Sequence, residues 1–336
     1  MTRLPLLAAA AALLTVTVAA VAAVSLQRQV QAPFQGYEGD HVDVIVRPGL
    51  AAQQIAELLE RSGVVESASL LTGWLWWTES SGDVQAGEYR FSGPSSVVEV
   101  AAVVTSGRVR LYPVTITEGS TRWQVAQAIA AAGFDTYEKA LAATGRIDLI
   151  SDLDPLAESL EGYLFPETYL APRGDDAEDL VVRMVSAFDV IWTPESRRRA
   201  AELEMSTREV VTLASLIEAE TRAPNERPTV SAVFHNRLAR GMLLQTDPTV
   251  IYARHLAGRE GRTIYQSDLR RDSPYNTYVY PGLPIGPIGN PRQASIDAAL
   301  YPADVDFLYF VSRNDGTHAF SRTLVEHNEL VDRYQR

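Results

Sequence analysis

The chain has 336 residues, of which 46% are hydrophobic and 21% charged, so it can hold about two domains of roughly 150 residues each. Its formal net charge is −12 and its basic residues are scattered, so no basic face predicts binding to nucleic acid. The absence of cysteine from the sequence excludes disulfides, thiolate metal sites, a cysteine nucleophile and a lipid-modified cysteine.

The first predicted element is a membrane-spanning helix. From Leu6 to Val24 no residue is charged, and a helix of this length rises about 28 Å, close to the hydrocarbon thickness of a bilayer. A cleaved signal peptide is the alternative, because Ala20-Val21-Ala22 has the small-x-small pattern of a cleavage site. In either case we predict that the body of the protein lies outside the cytoplasm, held at the cell (inner) membrane if the helix is retained.

The next region contains a strand-turn-helix pattern twice. Alternation over 41–46 predicts a strand, helical spacing follows up to Gly63 and over 67–77, and 87–91 predicts a returning strand. The pattern begins again at Val114, which suggests a weak internal duplication. It resembles LysM-type modules, small β-α-α-β units that bind amino-sugar polymers. A spacer domain without a ligand is the alternative.

Three tryptophans lie in the second predicted helix of this region, at Trp74, Trp76 and Trp77. Their rings could stack on sugars, but aromatic residues at helical spacing are more often part of a core. We therefore expect them to pack inward.

The chemistry-bearing residues come after residue 160. An apolar helix begins near Thr207 and closes with Glu218 and Glu220, and the loops that follow are rich in Tyr, Asn, Gln and Thr. Cleavage of a glycosidic bond needs an acid whose pKa is raised by apolar surroundings, together with neutral groups that bind sugar hydroxyls. Residues two apart on a helix point about 200° from each other, so these two carboxylates are not an opposed catalytic pair. The pattern indicates a single-carboxylate mechanism, although on spacing alone solvated charges at a helix end are the commoner explanation.

Other catalytic patterns are missing from the sequence. The five histidines form no H-E-x-x-H or paired metal spacing, and there is no G-x-S-x-G elbow. The glycine- and proline-rich loop at 282–291 lacks the Gly-Lys-Ser/Thr of a phosphate-binding loop and is expected to shape a cleft wall. His318 is interpreted as a strand residue beside a turn.

Six ordered motifs resemble those of the MltG (YceG-like) family of endolytic murein transglycosylases, over essentially the whole chain. They are LEGYLFPETY at 160–169, ASLIEAET at 214–221, VFHNRLARGMLLQTDPTVIY at 233–252, YNTY at 275–278, GLPIGPIGNP at 282–291 and the closing FLYFV…DGTHAFSRTLVEHN. The resemblance implies that Glu220, the glutamate before Thr221, is catalytic, with Glu218 as the second choice or an orienting neighbour. Two positions depart from the family pattern, namely His235 for an aliphatic residue and Ala219 for the common lysine.

The resemblance also implies the other site residues and the reaction. The residues expected to bind substrate are Glu218, Gln245, Thr246, Asp247, Tyr275, Asn276 and Thr277, with Tyr163 and Glu167 on the rim. The expected reaction cleaves the MurNAc–GlcNAc bond of nascent glycan strands, leaves 1,6-anhydro-MurNAc ends, terminates strand elongation and needs no metal or organic cofactor. A hydrolytic muramidase using the same acid and a non-catalytic, glycan-binding membrane scaffold are the alternatives. The family resemblance alone implies that the protein acts beside peptidoglycan synthases.

The predicted fold class is α+β, with the acid at the end of a buried helix in the larger, mixed catalytic domain. The predicted segments are a cytoplasmic end at 1–5, a transmembrane anchor at 6–26, a linker at 27–40, a LysM-like region at 41–135 and a catalytic YceG-like domain at 136–336.

Overall fold

The computed structural model describes residues 3–259, 261 and 263–335, with side chains from Leu13 onward. The described chain mixes α-helices with short two-stranded sheets, so the α+β prediction is confirmed. Its contacts divide it into two compact units. One extends to Tyr112 and includes Leu170–Asp175, and the other contains Pro113–Tyr169 and continues from Asp176.

The first helix, α1 (Arg3–Gln31), begins close to the N-terminus and is long and apolar enough to cross a membrane. Its stretch Leu13–Gln31 has a mean hydropathy of 1.4 and is almost entirely exposed. A signal sequence would have the same features. The helix continues beyond the predicted end of the anchor at residue 26, and near its end Val30 is buried in the core of the first unit.

The first unit has the predicted β-α-α-β order. Its elements are β1 (Val42–Val46), α2 (Ala52–Arg61), α3 (Ala68–Trp77) and β2 (Gly87–Phe91), followed by α4 (Val97–Thr105). Strands β1 and β2 are antiparallel, with Val42 opposite Phe91 and Val46 opposite Gly87. The element order therefore agrees with the sequence pattern, while the likeness to LysM modules stays a prediction.

The tryptophans of α3 do not pack as expected. Trp76 is 76% exposed and Trp77 is 83% exposed, so the expectation of a core position is wrong for both. The buried face of α3 is formed by Ala68, Leu71 and Leu75, whose spacing of three and four residues defines one side of a helix. With this face turned toward the core, Trp74 is half-buried against it, whereas Trp76 and Trp77 point to solvent.

The β-α-α-β order occurs a second time, as the internal duplication suggested. The elements are β3 (Leu111–Thr115), α5 (Arg122–Ala131), α6 (Tyr137–Ala143) and β4 (Thr168–Pro172), and β3 pairs with β4. Contacts divide the chain after Tyr112, whereas the motifs had placed the domain boundary at residue 135. The functional boundary stays a prediction.

The rest of the second unit is mainly helical. It contains α7 (Ala177–Ile191), α8 (Pro194–Glu202), α9 (Thr207–Glu220), α10 (Arg227–Ala239), α11 (Asp247–Leu256), α12 (Gln266–Leu269), α13 (Gln293–Leu300), an antiparallel hairpin of β5 (Tyr309–Ser312) and β6 (His318–Ser321), and α14 (Leu324–Tyr334).

Helix α9 passes through the core of this unit. Ser206 and Glu209 form a capping box at its start, which satisfies main-chain N–H groups that have no partner within the helix. All eight residues from 210 to 217 are buried, and α9 packs against α13, α10 and α11. The helix ends at Glu220 because Thr221 is extended, with φ −129° and ψ 133°. The predicted helix is therefore confirmed, and its last side chain emerges from a rigid, buried element.

Candidate active site

Glu220, the last residue of α9, is half-buried and lies beside the start of α11. The hydroxyl of Thr246 donates a hydrogen bond to its Oε1. Thr246 is 2% exposed and immediately precedes α11. The carboxyl group is therefore enclosed by protein atoms at the negative end of the α9 dipole, a position that disfavours its charged form.

The pKa of Glu220 reflects opposing effects. Burial raises the pKa of Glu220 to about 6, and the negative charge of Asp247 acts in the same direction. The hydrogen bond from Thr246 opposes this rise, as do the positive charges of His318 and Arg237. Near pH 6 the group can therefore exist as acid or carboxylate, as required of a residue that first donates and then accepts a proton.

A cluster of three buried threonines fixes the position of Thr246. Its main-chain N–H donates to Thr277 Oγ1 at 3.1 Å, and Thr249 Oγ1 lies 2.9 Å from Thr277 Oγ1. The Thr249 hydroxyl also donates to the carbonyl oxygen of Thr246 at 2.7 Å. Because these groups bond one another away from water, Thr246 is held in place before any substrate arrives.

Two exposed residues flank Thr246 and face solvent beside Glu220. Gln245 has φ +51°, in the left-handed region, and its N–H donates to the carbonyl oxygen of Thr277 at 3.1 Å. A non-glycine residue in this region costs of order 1 kcal/mol, and such strain is often found beside functional sites. Asp247 accepts a hydrogen bond of 2.6 Å from the hydroxyl of Tyr278. Predicted residues Gln245, Thr246, Asp247 and Thr277 thus lie together next to Glu220.

Cationic groups oppose the negative charges of the site. Arg237 is buried and donates from Nε and Nη1 to the carbonyl oxygens of Leu308 at 2.6 Å and Leu244 at 2.9 Å. His318, on β6, has its Nδ1 2.7 Å from Glu226 Oε2. The interpretation of His318 as a strand residue is confirmed, and the structure adds that its charge acts on the Glu220 carboxyl group.

Glu218 occupies a different environment from Glu220. Arg292 Nε donates to its carboxylate at 3.0 Å, Ser295 Oγ donates at 2.8 Å, and Arg227 Nη2 lies 3.9 Å away. Its side chain is 5% exposed. The separate partners of the two glutamates confirm that they point in different directions. They also correct the expectation that Glu218 binds substrate, because both of its oxygens are engaged inside the protein.

Asn276 holds a loop together. It is 1% exposed, and its side-chain nitrogen donates to the carbonyl oxygens of Asp268, Leu269 and Arg271 at 2.8–3.2 Å. Its Oδ1 accepts from the main-chain N–H of Tyr278 at 3.0 Å. Asn276 was expected to contact sugar. Its buried amide instead forms these four hydrogen bonds within the loop that carries Thr277 and Tyr278.

Tyr163 and Glu167, the two residues expected on the rim of the site, differ in burial. Tyr163 is fully buried, its hydroxyl donates to Asp154 Oδ2 at 3.0 Å, and its ring packs edge-on against Phe188 at 5.1 Å. It belongs to the core, so its rim position was wrong. Glu167 is exposed and accepts at its main-chain carbonyl from Ile116, and its contact with substrate stays a prediction.

Tyr275 adjoins a second buried carboxylate, Glu161, which the sequence analysis did not single out. The ring of Tyr275 lies 4.8 Å from that of Tyr252, and the Tyr252 hydroxyl donates to Glu161 at 3.1 Å. Glu161 also accepts from the main-chain N–H of Arg122 at 2.9 Å and from Asn290 Nδ2 at 3.3 Å. Burial raises the pKa of Glu161 to about 7. This carboxyl group therefore joins the start of α5, helix α11 and the 282–291 loop.

Gly162 shows why the segment after Glu161 needs glycine. Its φ is +92°, and a Cβ atom here would lie 2.6 Å from Pro287 Cγ and 2.7 Å from Val211 Cγ1. The 160–169 segment can therefore lie directly on α9 only with glycine at this position.

Among the described residues, no His, Asp and Glu side chains group closely enough to hold a metal ion. The expectation of a reaction without cofactor stays a prediction. The site offers one carboxyl group of raised pKa, a hydroxyl donor fixed on it, and an exposed polar edge, which together suit general acid–base chemistry on a polar substrate.

Comparisons of the sequence with known proteins all lead to one family. A family model described as the YceG-like family matches residues 44–333. A protein of Bacillus subtilis (strain 168), named endolytic murein transglycosylase, is 32% identical over 309 residues, which cover 87% of this chain and 84% of that protein. A protein of the same name from Streptococcus pneumoniae serotype 2 (strain D39) is 28% identical over 331 residues, and the chain spans 59% of its length.

A solved structure is similar as well. The crystal structure of a YceG-like protein from Listeria monocytogenes matches with a TM-score of 0.59 and 31% sequence identity. The match covers 87% of this chain and 99% of the Listeria chain.

Proposed function

Because the chain belongs to the YceG-like family, we propose that it is a lytic transglycosylase of peptidoglycan in which Glu220 is the single acid and base. The family membership inferred from the sequence motifs is confirmed. The observation that carries the proposal is the half-buried carboxyl group of Glu220, whose pKa is raised to about 6 and to which Thr246 donates. The names of the relatives supply the substrate class, peptidoglycan.

The proposed reaction uses one carboxyl group twice, first to donate a proton and then to accept a different one. Glu220 in its acid form donates a proton to the oxygen between MurNAc and GlcNAc, and the bond from C1 of MurNAc to that oxygen breaks as positive charge develops on the sugar ring. The 6-hydroxyl of the same MurNAc then bonds to C1 and gives its proton to the Glu220 carboxylate. The products are a 1,6-anhydro-MurNAc end and a free GlcNAc 4-hydroxyl, and no water is consumed.

The neighbours of Glu220 fit these two stages. The Thr246 hydroxyl bonds the carboxylate and limits the rise in its pKa, while Asp247 favours the acid form. The 6-hydroxyl is part of the sugar that is cleaved, so it reacts with an effective concentration far above that of an external nucleophile. Gln245 and Asp247, both exposed, are the proposed contacts for sugar hydroxyls beside the broken bond.

Isotope labelling separates this reaction from hydrolysis. Full-length protein in detergent micelles is incubated with uncrosslinked glycan strands in ¹⁸O-labelled water, and the new ends are analysed by mass spectrometry. We expect ends that are one water lighter than reducing ends and carry no ¹⁸O. Reducing ends that contain ¹⁸O would identify a hydrolytic muramidase instead.

Two variants assign the acid. Glu220→Gln should abolish formation of new ends while the thermal unfolding temperature and strand binding are retained, because glutamine keeps the shape but cannot donate the proton. Glu218→Gln is the matched comparison on the same helix and should retain the chemistry in the fraction of molecules that stay folded. Cleavage by Glu220→Gln at the wild-type rate would mean that another residue is the acid, whereas no cleavage by the wild type would leave the non-catalytic, glycan-binding scaffold.

We also propose that α1 is retained as a single-pass anchor in the cell membrane, with the catalytic unit outside the cytoplasm, where it meets nascent strands beside their synthases. The length and apolar character of Leu13–Gln31 support this. Protease accessibility in intact and permeabilised cells tests the orientation, and N-terminal sequencing of the mature protein tests whether the helix is kept. A mature chain that begins after α1 would exclude the anchor.

A further inference from the structure

A cavity of about 130 Å³ lies in the second unit, beside Glu161 and distinct from the contacts of Glu220. Its wall contains the side chains of Arg122, Asp154, Glu158, Arg208, Tyr252 and Tyr275. A water molecule needs about 10–15 Å³ of such space, so the cavity holds several waters or a polar group of comparable size. The chemistry described above uses none of these residues except the predicted contact Tyr275.

Two aromatic side chains, Tyr252 and Tyr275, line the cavity, and they belong to a longer row of packed rings. The rings of Trp123 and Tyr252 lie 5.5 Å apart, and those of Tyr252 and Tyr275 lie 4.8 Å apart. His255 packs edge-on against Trp123 at 4.2 Å. Aromatic rings held by one another provide flat apolar surface next to polar groups, a combination that suits a sugar ring with its apolar faces and polar edges.

The charges around the cavity nearly balance. Arg208 is bound to Asp154 Oδ2 at 2.8 Å and to the carbonyl oxygen of Ile285 at 2.7 Å. Glu161, with its raised pKa, is partly protonated near neutral pH. A lining that offers donors and acceptors without a strong net charge favours a neutral polar ligand over an anion or a cation.

The guanidinium of Arg122 can donate hydrogen bonds to a ligand in the cavity. Its main-chain N–H is bonded to Glu161, but its guanidinium lies over the ring of Trp123, 5.0 Å from the centroid. Within the described part of the chain, no carboxylate lies at ion-pair distance from this guanidinium. The side chain is half-buried at the cavity, so it can donate to a bound oxygen without breaking an existing ion pair.

The cavity and the Glu220 site share two elements. Asp247 and Tyr252 both lie on α11, five residues apart, which corresponds to about 8 Å along the helix. Tyr275 precedes Thr277 by two residues in the same loop, and Thr277 bonds the main chain of Thr246. Asp247 and Tyr252 point about 140° from each other around α11, so the loop and not the helix relates the two sites. Tyr275 and Thr277 are separated by about 7 Å of chain at most, so a strand of several sugars can reach both sites.

From this arrangement we infer that the cavity is a second saccharide subsite, in which Arg122 donates a hydrogen bond to an N-acetylated sugar of the same strand and the rings of Tyr252 and Tyr275 border the sugar. The inference rests on the proposed function, because it takes the ligand to be the strand that Glu220 cleaves. A subsite displaced from the reacting bond adds binding energy only for strands long enough to fill it. The enzyme then prefers long strands to short oligosaccharides.

The test compares wild type with Arg122→Ala on soluble GlcNAc–MurNAc oligosaccharides, one set short and one long. Full-length protein is used, and kcat/KM for each set is measured from the ends formed. We expect the ratio of long-strand to short-strand kcat/KM to fall about tenfold in Arg122→Ala, the size of one lost charged hydrogen bond. Arg198→Ala, which removes an exposed arginine on α8 away from the cavity lining, should leave the ratio at its wild-type value.

Binding separates this inference from the proposed function. In a Glu220→Gln background, Arg122→Ala should weaken binding of long strands about tenfold, and Arg198→Ala should not. An unchanged ratio and unchanged binding in Arg122→Ala overturn the subsite even if wild type forms anhydro ends. If wild type forms no anhydro ends but the Arg122 effect on binding persists, the proposed reaction fails and the subsite stands.

A second variant guards against loss of fold. Tyr275→Phe keeps the ring and removes only the hydroxyl at the cavity, so it should lower the same ratio by a smaller factor, with an unchanged unfolding temperature. Equal losses on short and long substrates in both variants would indicate a general structural effect and would overturn the inference.

Discussion

Glu218 and Glu220 lie two residues apart at the end of α9. Glu218 binds Arg292 and Ser295, whereas among the described residues Glu220 is bonded by Thr246 alone. Arg292 Nε lies 3.0 Å from Glu218, and Ser295 Oγ lies 2.8 Å away, so this carboxylate connects α9 to the start of α13. Glu220 instead accepts from the hydroxyl of Thr246 and has a pKa raised to about 6. Because residues two apart on a helix point in different directions, Glu218 contacts charged groups inside the protein, whereas Glu220 is available for the proposed chemistry.

Removal of the structural charge should destabilise the protein. Glu218→Gln removes the carboxylate that faces the buried Arg227 and leaves Arg292 with Glu118 at 3.5 Å, and loss of one partner of a buried ion pair costs about 3–5 kcal/mol. The free energy of unfolding by urea measures the effect. Glu202→Gln is the control, because Glu202 forms an exposed ion pair with Arg199 at 2.8 Å, and its loss should cost less than about 1 kcal/mol. Wild-type stability of Glu218→Gln combined with lost cleavage would instead make Glu218 the candidate acid.

Removal of the Thr246 hydroxyl should move the pH dependence of cleavage upward. Glu220 must be protonated to act as an acid, so kcat/KM should fall as the pH rises through about 6. The Thr246 hydrogen bond stabilises the carboxylate, so its loss in Thr246→Val raises the pKa and shifts this fall by about one pH unit to higher pH. Thr246→Ser keeps the hydroxyl and should retain the wild-type profile. A fall at the same pH in Thr246→Val would contradict the bond.

Asp247→Asn should move the same profile in the opposite direction. The charge of Asp247 raises the pKa of Glu220, so its removal shifts the fall of kcat/KM to lower pH, and activity at neutral pH decreases. Since Asp247 is exposed, the shift should be under about one unit and should shrink as ionic strength rises. Asp272→Asn is a matched control, because Asp272 is also exposed and also accepts a 2.6 Å hydrogen bond from a tyrosine, Tyr280. An equal shift in both variants would show that general surface charge causes it.

The parts of the fold that sequence predicted are those set by local patterns. A long apolar run from near Thr207 predicts helix α9, and alternation over 41–46 predicts β1; the structure adds the Ser206 capping box and the alternating burial of β1. No element was predicted for the segment of helix α4, whose sequence VVEVAAVVT is rich in β-branched residues that favour strands. A capping box of Ser96 with Glu99, and packing of one face into the core, make it a helix instead.

The parts of the site that sequence missed depend on residues far apart in the chain. His318 and Glu226 are 92 positions apart, and no local pattern predicts that they meet. The family resemblance placed Tyr163 at the rim of the site, but it is buried against Phe188, which is 25 positions later in the chain. Glu161 did carry a usable signal, since a charged residue in an apolar segment is costly unless it is paired.

Glu161 should make the stability of the protein depend on pH between its two pKa values. In the unfolded chain a glutamate loses its proton near pH 4.5, whereas burial holds the pKa of Glu161 in the folded protein at about 7. The folded state therefore binds more protons in this range, so the stabilisation is complete below pH 4.5 and is lost as the pH rises to about 7. The loss amounts to at most about 3 kcal/mol. Glu161→Gln, which mimics the neutral acid, should flatten this part of the curve of unfolding free energy against pH, whereas Glu158→Gln, at an exposed position, should retain the wild-type slope. A wild-type slope in Glu161→Gln would mean that Glu161 is already ionised in the folded protein at acidic pH.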